Sequence, residues 1–291
     1  MSIVHGTTDP RFQGVADLFA DNFAALDEVG ASLCVTVDGA PVIDLWGGHR
    51  DKRRTQAWER DTICTVFSNT KAATALCAHI LIERGLLDPD APVTRYWPEF
   101  GQAGKEGTTV AMLLNHTAGL PAIREDVKDG GYADWAYMAD RLAAETPWWE
   151  PGSKTGYHMI TFGWLVGELV ARVSGRSLGT FYADEVAGPL GLDLFIGLPE
   201  TEDARVSPSI FHKMQPGELL PEFMQIMISN TMSLQARSML NLGNLNYNEP
   251  RAHRAEIGGA GGIGDSHGAS GRSPPRKMIP RTMIRRRMIR A

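Results

Sequence analysis

An α+β fold is predicted for this 291-residue chain: an antiparallel sheet, incomplete as written, carrying a helical domain. Three observations predict it. β-prone, alternating segments are concentrated before residue 68. Helical periodicity fills roughly residues 86–200. Beyond residue 200 no strong strand candidate is legible, and two or three antiparallel strands alone are marginal.

The elements follow in order. RFQGVADLFADNFAALDEVG spaces Phe12, Val15, Leu18, Phe19, Phe23 and Leu26 for one helix face, with Gly30 as a stop. ASLCVTV and PVIDLWGG flank Asp38-Gly39-Ala40 and read as a β-hairpin. TICTVF is a short β-prone run leading into Ser68, where a helix opens and runs to Arg84, closed by Gly85. AMLLNHTAGLP reads as a short helix ended by Gly119 and Pro121, and YADWAYMADRLAAE as an amphipathic one. TFGWLVGELVARVSG is a buried helix closed by Gly175, and SLGTFYADEVAGPLGL a helix ended by Pro189. FMQIMISNTMSLQARSML is Met-rich and helical, and EIGGAGGIGD reads as a Gly-rich loop.

Composition narrows the function classes. Hydrophobic content of 43% and charged content of 22% are ordinary for a globular protein with a sizeable core. Cys34, Cys64 and Cys77 are an odd number without metal-like spacing, and His5, His49, His79 and His212 show no ligand spacing, so neither a metal nor a cofactor is expected. MSIVHGTTDPRF lacks a signal-peptide pattern, and no apolar run reaches the ~18 residues of a membrane span. The expectation is a cytoplasmic protein with reduced thiols.

Charge is unevenly placed. From Ser266 onward there are eight Lys/Arg and no acidic residue, which leaves 21 basic against 34 acidic residues in 1–265, a net of −13. Residues 266–291 therefore read as a basic, disordered tail appended to a domain spanning 1–265. An altered reading frame and a basic arm for anionic membrane or nucleic acid are the alternatives. No nucleic-acid partner is expected, and Pro274, Pro275 and Pro280 argue against strands there.

The chemistry-bearing stretch is VFSNTKAATAL, residues 66–76. Residues i and i+3 share a helix face, so Lys71 reaches back toward Ser68. A helix N-terminus favours a developing alkoxide or oxyanion, and a lysine desolvated among alanines holds its proton less tightly. That pairing points to acyl transfer through an acyl-serine. The bland alternative is an N-cap serine followed by a surface lysine.

Phe67-Ser68-Asn69-Thr70-Lys71, LLDPDAPVTRYWPEF, LLNHTAGLP, PGSKTGYH and TFGWLVGELVARVSG together resemble the serine β-lactamase-related family, in the branch of class C-like carboxylesterases called family VIII esterases. The resemblance covers residues from about Asp27 to Asp265. It implies a β-lactamase/transpeptidase-like fold and a Ser–Lys–Tyr site: Ser68 nucleophile, Lys71 base and hydrogen-bond partner, Tyr157 proton shuttle. Lys154-Thr155-Gly156 spells the family's third box but immediately precedes Tyr157, so it is read as a coincidence in a loop. In class C lactamases an asparagine lies two residues beyond the tyrosine. Here that position is Met159, which points to a small-molecule ester with an apolar part. Met159, His158 and Trp149 are the candidate substrate-binding residues, and His116 reads as turn-stabilising. The family's downstream strands, one of which supplies an oxyanion N–H, are not recognisable. The runner-up readings are a β-lactamase or D-Ala-D-Ala peptidase-like enzyme, and a non-catalytic remnant or interaction module.

Overall fold

The computed structural model describes residues 3–211, 214 and 217–266. His212 and the predicted tail, apart from Ser266, lie outside the described residues.

The chain opens with β1 (Val4–Thr8) and α1 (Gln13–Ala25). The predicted hairpin follows as β2 (Gly30–Val37) and β3 (Ala40–Gly48). Asp38 and Gly39 both take positive φ at its turn, which aspartate tolerates and glycine favours. Next come β4 (Ile63–Phe67) and α2 (Thr70–Glu83). The helical region holds α3 (Val110–Leu114), α4 (Trp135–Ala144), α5 (Phe162–Ser174), α6 (Leu178–Tyr182) and α7 (Gly188–Leu190). Then follow β5 (Leu194–Phe195), β6 (Val206–Ser207), α8 (Glu222–Ser229), α9 (Leu234–Leu240), α10 (Pro250–Arg254) and β7 (Gly262–Gly264).

The strands form two sheets, ordered β1-β3-β2 and β5-β7-β4-β6. Two expectations are corrected here. Strands do exist after residue 200: β6 pairs parallel with β4, and β7, inside the segment read as a Gly-rich loop, pairs antiparallel with both β4 and β5. β5 and β6 are two residues long, too short to show alternation, and glycine masks β7 because it carries no side chain to pattern. β1 was also unread, because VHGTT has no apolar alternation.

Boundaries moved for identifiable reasons. α3 stops at Leu114, before His116, whose φ is +64°. Pro189 does not end its helix. Residues Ala183–Ala187 form a π-turn and the Gly188 N–H reaches back to the Ala183 carbonyl, so the missing proline N–H is absorbed and the helix continues to Leu190. Gly175 takes φ +71° and caps α5 as expected.

The main core lies between α2 and α5 and the helices around them. Cys77, Ala78 and Leu81 on one side and Trp164, Leu165 and Leu169 on the other are all at most 1% exposed. Each such large apolar side chain contributes about 1.5–3 kcal/mol when buried. α5 is buried from Phe162 to Val170, including Glu168, whose carboxylate accepts from Trp135 Nε1 (2.6 Å) and Arg172 Nε (2.7 Å). This packing fixes α2, and with it the residues at its mouth. Among the described residues, no helix is long and apolar enough to cross a membrane.

Candidate active site

Ser68 stands two residues ahead of α2, not within it. The correction has a backbone cause. The β4–β7 register shifts between Thr65 and Phe67, and Phe67 takes φ +45°, so the strand ends in a bulge and a left-handed residue. Such a bulge re-aims the chain, and a strained non-glycine residue persists only where its surroundings hold it. The Phe67 ring is held edge-on against Tyr247 (5.2 Å) and Phe211 (6.4 Å). Thr70 Oγ1 donates to the Phe67 carbonyl (2.5 Å) and accepts from the Gly262 N–H (2.8 Å), tying the turn to β7. Ser68 is thereby exposed at the mouth of α2.

Lys71 is 8% exposed and its Nζ meets three oxygens: Ser68 Oγ at 3.1 Å, the Met159 carbonyl at 2.6 Å and the Gly259 carbonyl at 2.6 Å. Burial lowers its pKa, against opposing interactions with Tyr157. The geometry suits both protonation states. A neutral amine donates two hydrogens to the carbonyls and turns its lone pair toward Ser68; an ammonium donates to all three.

Tyr157 is 49% exposed, and Lys71 Nζ lies 4.6 Å from its ring centroid. Burial alone would raise the phenol's pKa. Interactions with Lys71 and Ser68 outweigh it and set the pKa below the ordinary tyrosine value. The loop carrying Tyr157 is pinned by backbone bonds from Trp148 N–H to the Gly119 carbonyl (2.7 Å), Gly152 N–H to the Thr117 carbonyl (3.0 Å) and Gly156 N–H to the His116 carbonyl (3.1 Å). Lys154-Thr155-Gly156 lies in this loop and forms no strand.

The other candidates fall in different places. His158 is wholly buried: Nε2 accepts from the Leu120 N–H (2.9 Å) and Nδ1 faces the Gly156 carbonyl (2.7 Å), so both ring nitrogens are spent on backbone. Burial pushes its pKa down to about 4, so it stays neutral and braces the loop. Met159 meets Lys71 through its carbonyl while its half-buried side chain packs on the main core. Trp149 donates through Nε1 to the Thr117 carbonyl (3.3 Å) and crosses His158 edge-on at 5.9 Å. These three residues thus contact loop backbone, the core and Lys71. His116 packs directly on Tyr157, with ring centroids 5.0 Å apart.

The residue that sequence reasoning missed is Gly259. Its carbonyl lies 188 positions from Lys71, and Gly163 on α5 allows its backbone to come close enough. The run GGAGG was the available signal, because clustered glycines mark close backbone approach as well as loops. Among the described residues, no three His, Cys, Asp or Glu side chains group as a metal site. Among the described residues, no strand follows β7, so none is seen in the place where the resemblance puts the second oxyanion donor.

Comparison with known proteins identifies the family. The family model described as Beta-lactamase matches residues 17–263. "Esterase/beta-lactamase LipL" of Mycobacterium tuberculosis is 40% identical over 200 residues, which cover 68% of this chain and 46% of LipL. A crystal structure of a family VIII carboxylesterase superposes with a TM-score of 0.79 at 37% identity, covering 90% of this chain and 68% of that one. A penicillin-binding protein homologue from Caulobacter crescentus gives the same TM-score and coverages at 34% identity. The chain spans about half the length of the curated relatives it matches.

Proposed function

The chain belongs to the beta-lactamase family, and from that premise we propose that it is a serine hydrolase cleaving small carboxylic esters through an acyl-Ser68 intermediate. The observation that carries the reading is Lys71 Nζ, buried and shared between Ser68 Oγ and two backbone carbonyls. Two acceptors fix the amine so that its remaining valence faces the hydroxyl. Burial keeps its proton loosely held.

The Ser68 proton moves to Lys71, or to Tyr157 as phenolate, as Oγ bonds to the ester carbonyl carbon. The oxyanion forms at the mouth of α2, where the Ser68 N–H and the helix dipole favour negative charge. Collapse breaks the bond to the alcohol, which leaves with a proton from Tyr157. Water, deprotonated by the same groups, then releases the acid and restores the Ser68 hydroxyl. Met159 at the position of the class C asparagine supports esters over acylamino substrates.

Hydrolysis of p-nitrophenyl acetate by the chain and by Ser68→Ala tests the proposal. The expected result is turnover that disappears in the variant, with single-site fluorophosphonate labelling at Ser68. Equal rates in both proteins, or no labelling at Ser68, overturn it. A chromogenic cephalosporin run alongside separates ester from lactam preference.

A further inference from the structure

Tyr157 is gripped on both flanks by one residue. The Gly156 N–H donates to the His116 carbonyl (3.1 Å), and the His158 N–H donates to His116 Nδ1 (3.1 Å). Between these two bonds the His116 ring packs on the Tyr157 ring, centroids 5.0 Å apart, and against Phe162 at the same distance. His116 holds this pose at φ +64°, a left-handed conformation that few non-glycine residues adopt, so the bracket is held against a backbone cost. Resting on the hydrolase reading, we propose that His116 is the positioning residue for Tyr157, holding it from both flanks while its imidazole is neutral and loosening the His158 flank on protonation.

The switch follows from donor and acceptor counting. Nδ1 accepts from the His158 N–H, so the neutral ring carries its proton on Nε2. A second proton has to enter at Nδ1, where it meets an N–H that points at it. The acceptor is lost and one side of the bracket opens. The titratable groups facing His116 are Lys71 from α2 and Tyr157 and His158 from the loop; α5 presents the uncharged Phe162 ring. Burial, then the Lys71 charge, keeps the His116 pKa below 6.5. The sign is that of a base depressed on folding: the bracket is intact above that value and is lost as pH falls through the His116 pKa. Burial pushes His158 down to about 4, and its Nδ1 and Nε2 are both engaged by backbone groups.

Asparagine at 116 tests this directly. Its Oδ1 can replace Nδ1 as acceptor, it tolerates the left-handed backbone, and it does not titrate. Two readouts are followed from pH 4 to 8 in wild type, His116→Asn and His116→Ala. One is the ¹³Cζ resonance of Tyr157, assigned with Tyr157→Phe; the other is the rate of Ser68 labelling by a fluorophosphonate. In wild type both change together in a step below pH 6.5. In His116→Asn the step disappears from both, and labelling at pH 8 drops no more than about threefold, whereas His116→Ala labels about 10²-fold more slowly at every pH, the usual cost of ~1 Å misplacement. An acid step unchanged in His116→Asn overturns the proposal, as does a His116→Ala protein that matches wild type in both readouts. If His116→Ala does not fold, His116→Asn decides alone. A Tyr157 step abolished by His116→Asn, with no labelling of Ser68 in any protein, sinks the hydrolase reading and leaves the bracket standing.

Discussion

Gly163→Ala probes the contact through which a segment 188 positions along the chain holds Lys71. A Cβ on residue 163 would lie 2.7 Å from the Gly258 carbonyl carbon and 2.8 Å from its nitrogen, with the Gly259 nitrogen nearer still. These are backbone atoms and cannot swing aside. Ordinary contact between carbon atoms begins at about 3.5 Å, so α5 and the glycine segment must separate by close to 1 Å. The Gly259 carbonyl then withdraws from its 2.6 Å bond to Lys71 Nζ and passes beyond hydrogen-bond range. A lost bond to a charged group and a strained core each cost about 1.5–3 kcal/mol. Set against the ~1 kcal/mol an alanine adds to a helix interior, the net is ~2 kcal/mol or more, a fall in Tm of about 4–8 °C. Displacing Nζ from Ser68 by a similar distance lowers kcat/KM for p-nitrophenyl acetate about 10²-fold. Gly14→Ala is the control: it is also helical, but nothing lies within 4 Å of its Cβ, and it should gain up to about 1 kcal/mol with activity untouched. Thermal melts and steady-state kinetics on both variants decide the matter. A Gly163→Ala protein that melts and turns over like Gly14→Ala refutes the claim that Gly259 fixes Lys71.

Two further predictions concern other groups. Burial pushes the Cys77 thiol up to about 12, so at pH 8 it holds almost no thiolate; a maleimide should modify Cys34 in the native protein and Cys77 only after denaturation, and equal native rates would refute this. Glu185 is held at about 2 by hydrogen bonds from Arg84 and then Arg176, which tie the end of α2 to the π-turn. As a depressed carboxylate it stabilises the fold above its ordinary value near 4.5 and loses that contribution as pH falls toward 2; Glu185→Gln should therefore melt below wild type at pH 6 and converge with it at pH 2, and a gap independent of pH would count against the assignment.

What was legible in the sequence was local. The Ser68–Lys71 spacing, the continuous apolar face of α5, the Gly175 cap and the Asp38-Gly39 turn each need only a few neighbouring residues to express their geometry. Chain-local sterics and periodicity determine them, so they survive without knowledge of the rest of the fold. The tertiary structure alone decided the parts that depend on distant backbone. Gly259 looked like loop filler until α5 brought its carbonyl to Lys71, and His116 looked like a turn residue until the following loop closed over it. β7 was hidden because a glycine strand declares itself only through its partners β4 and β5. For Gly259 and β7 the contributions come from main-chain carbonyls and N–H groups, which every residue carries, so side-chain pattern cannot mark them; the His116 imidazole acts only through partners that long-range packing brings to it.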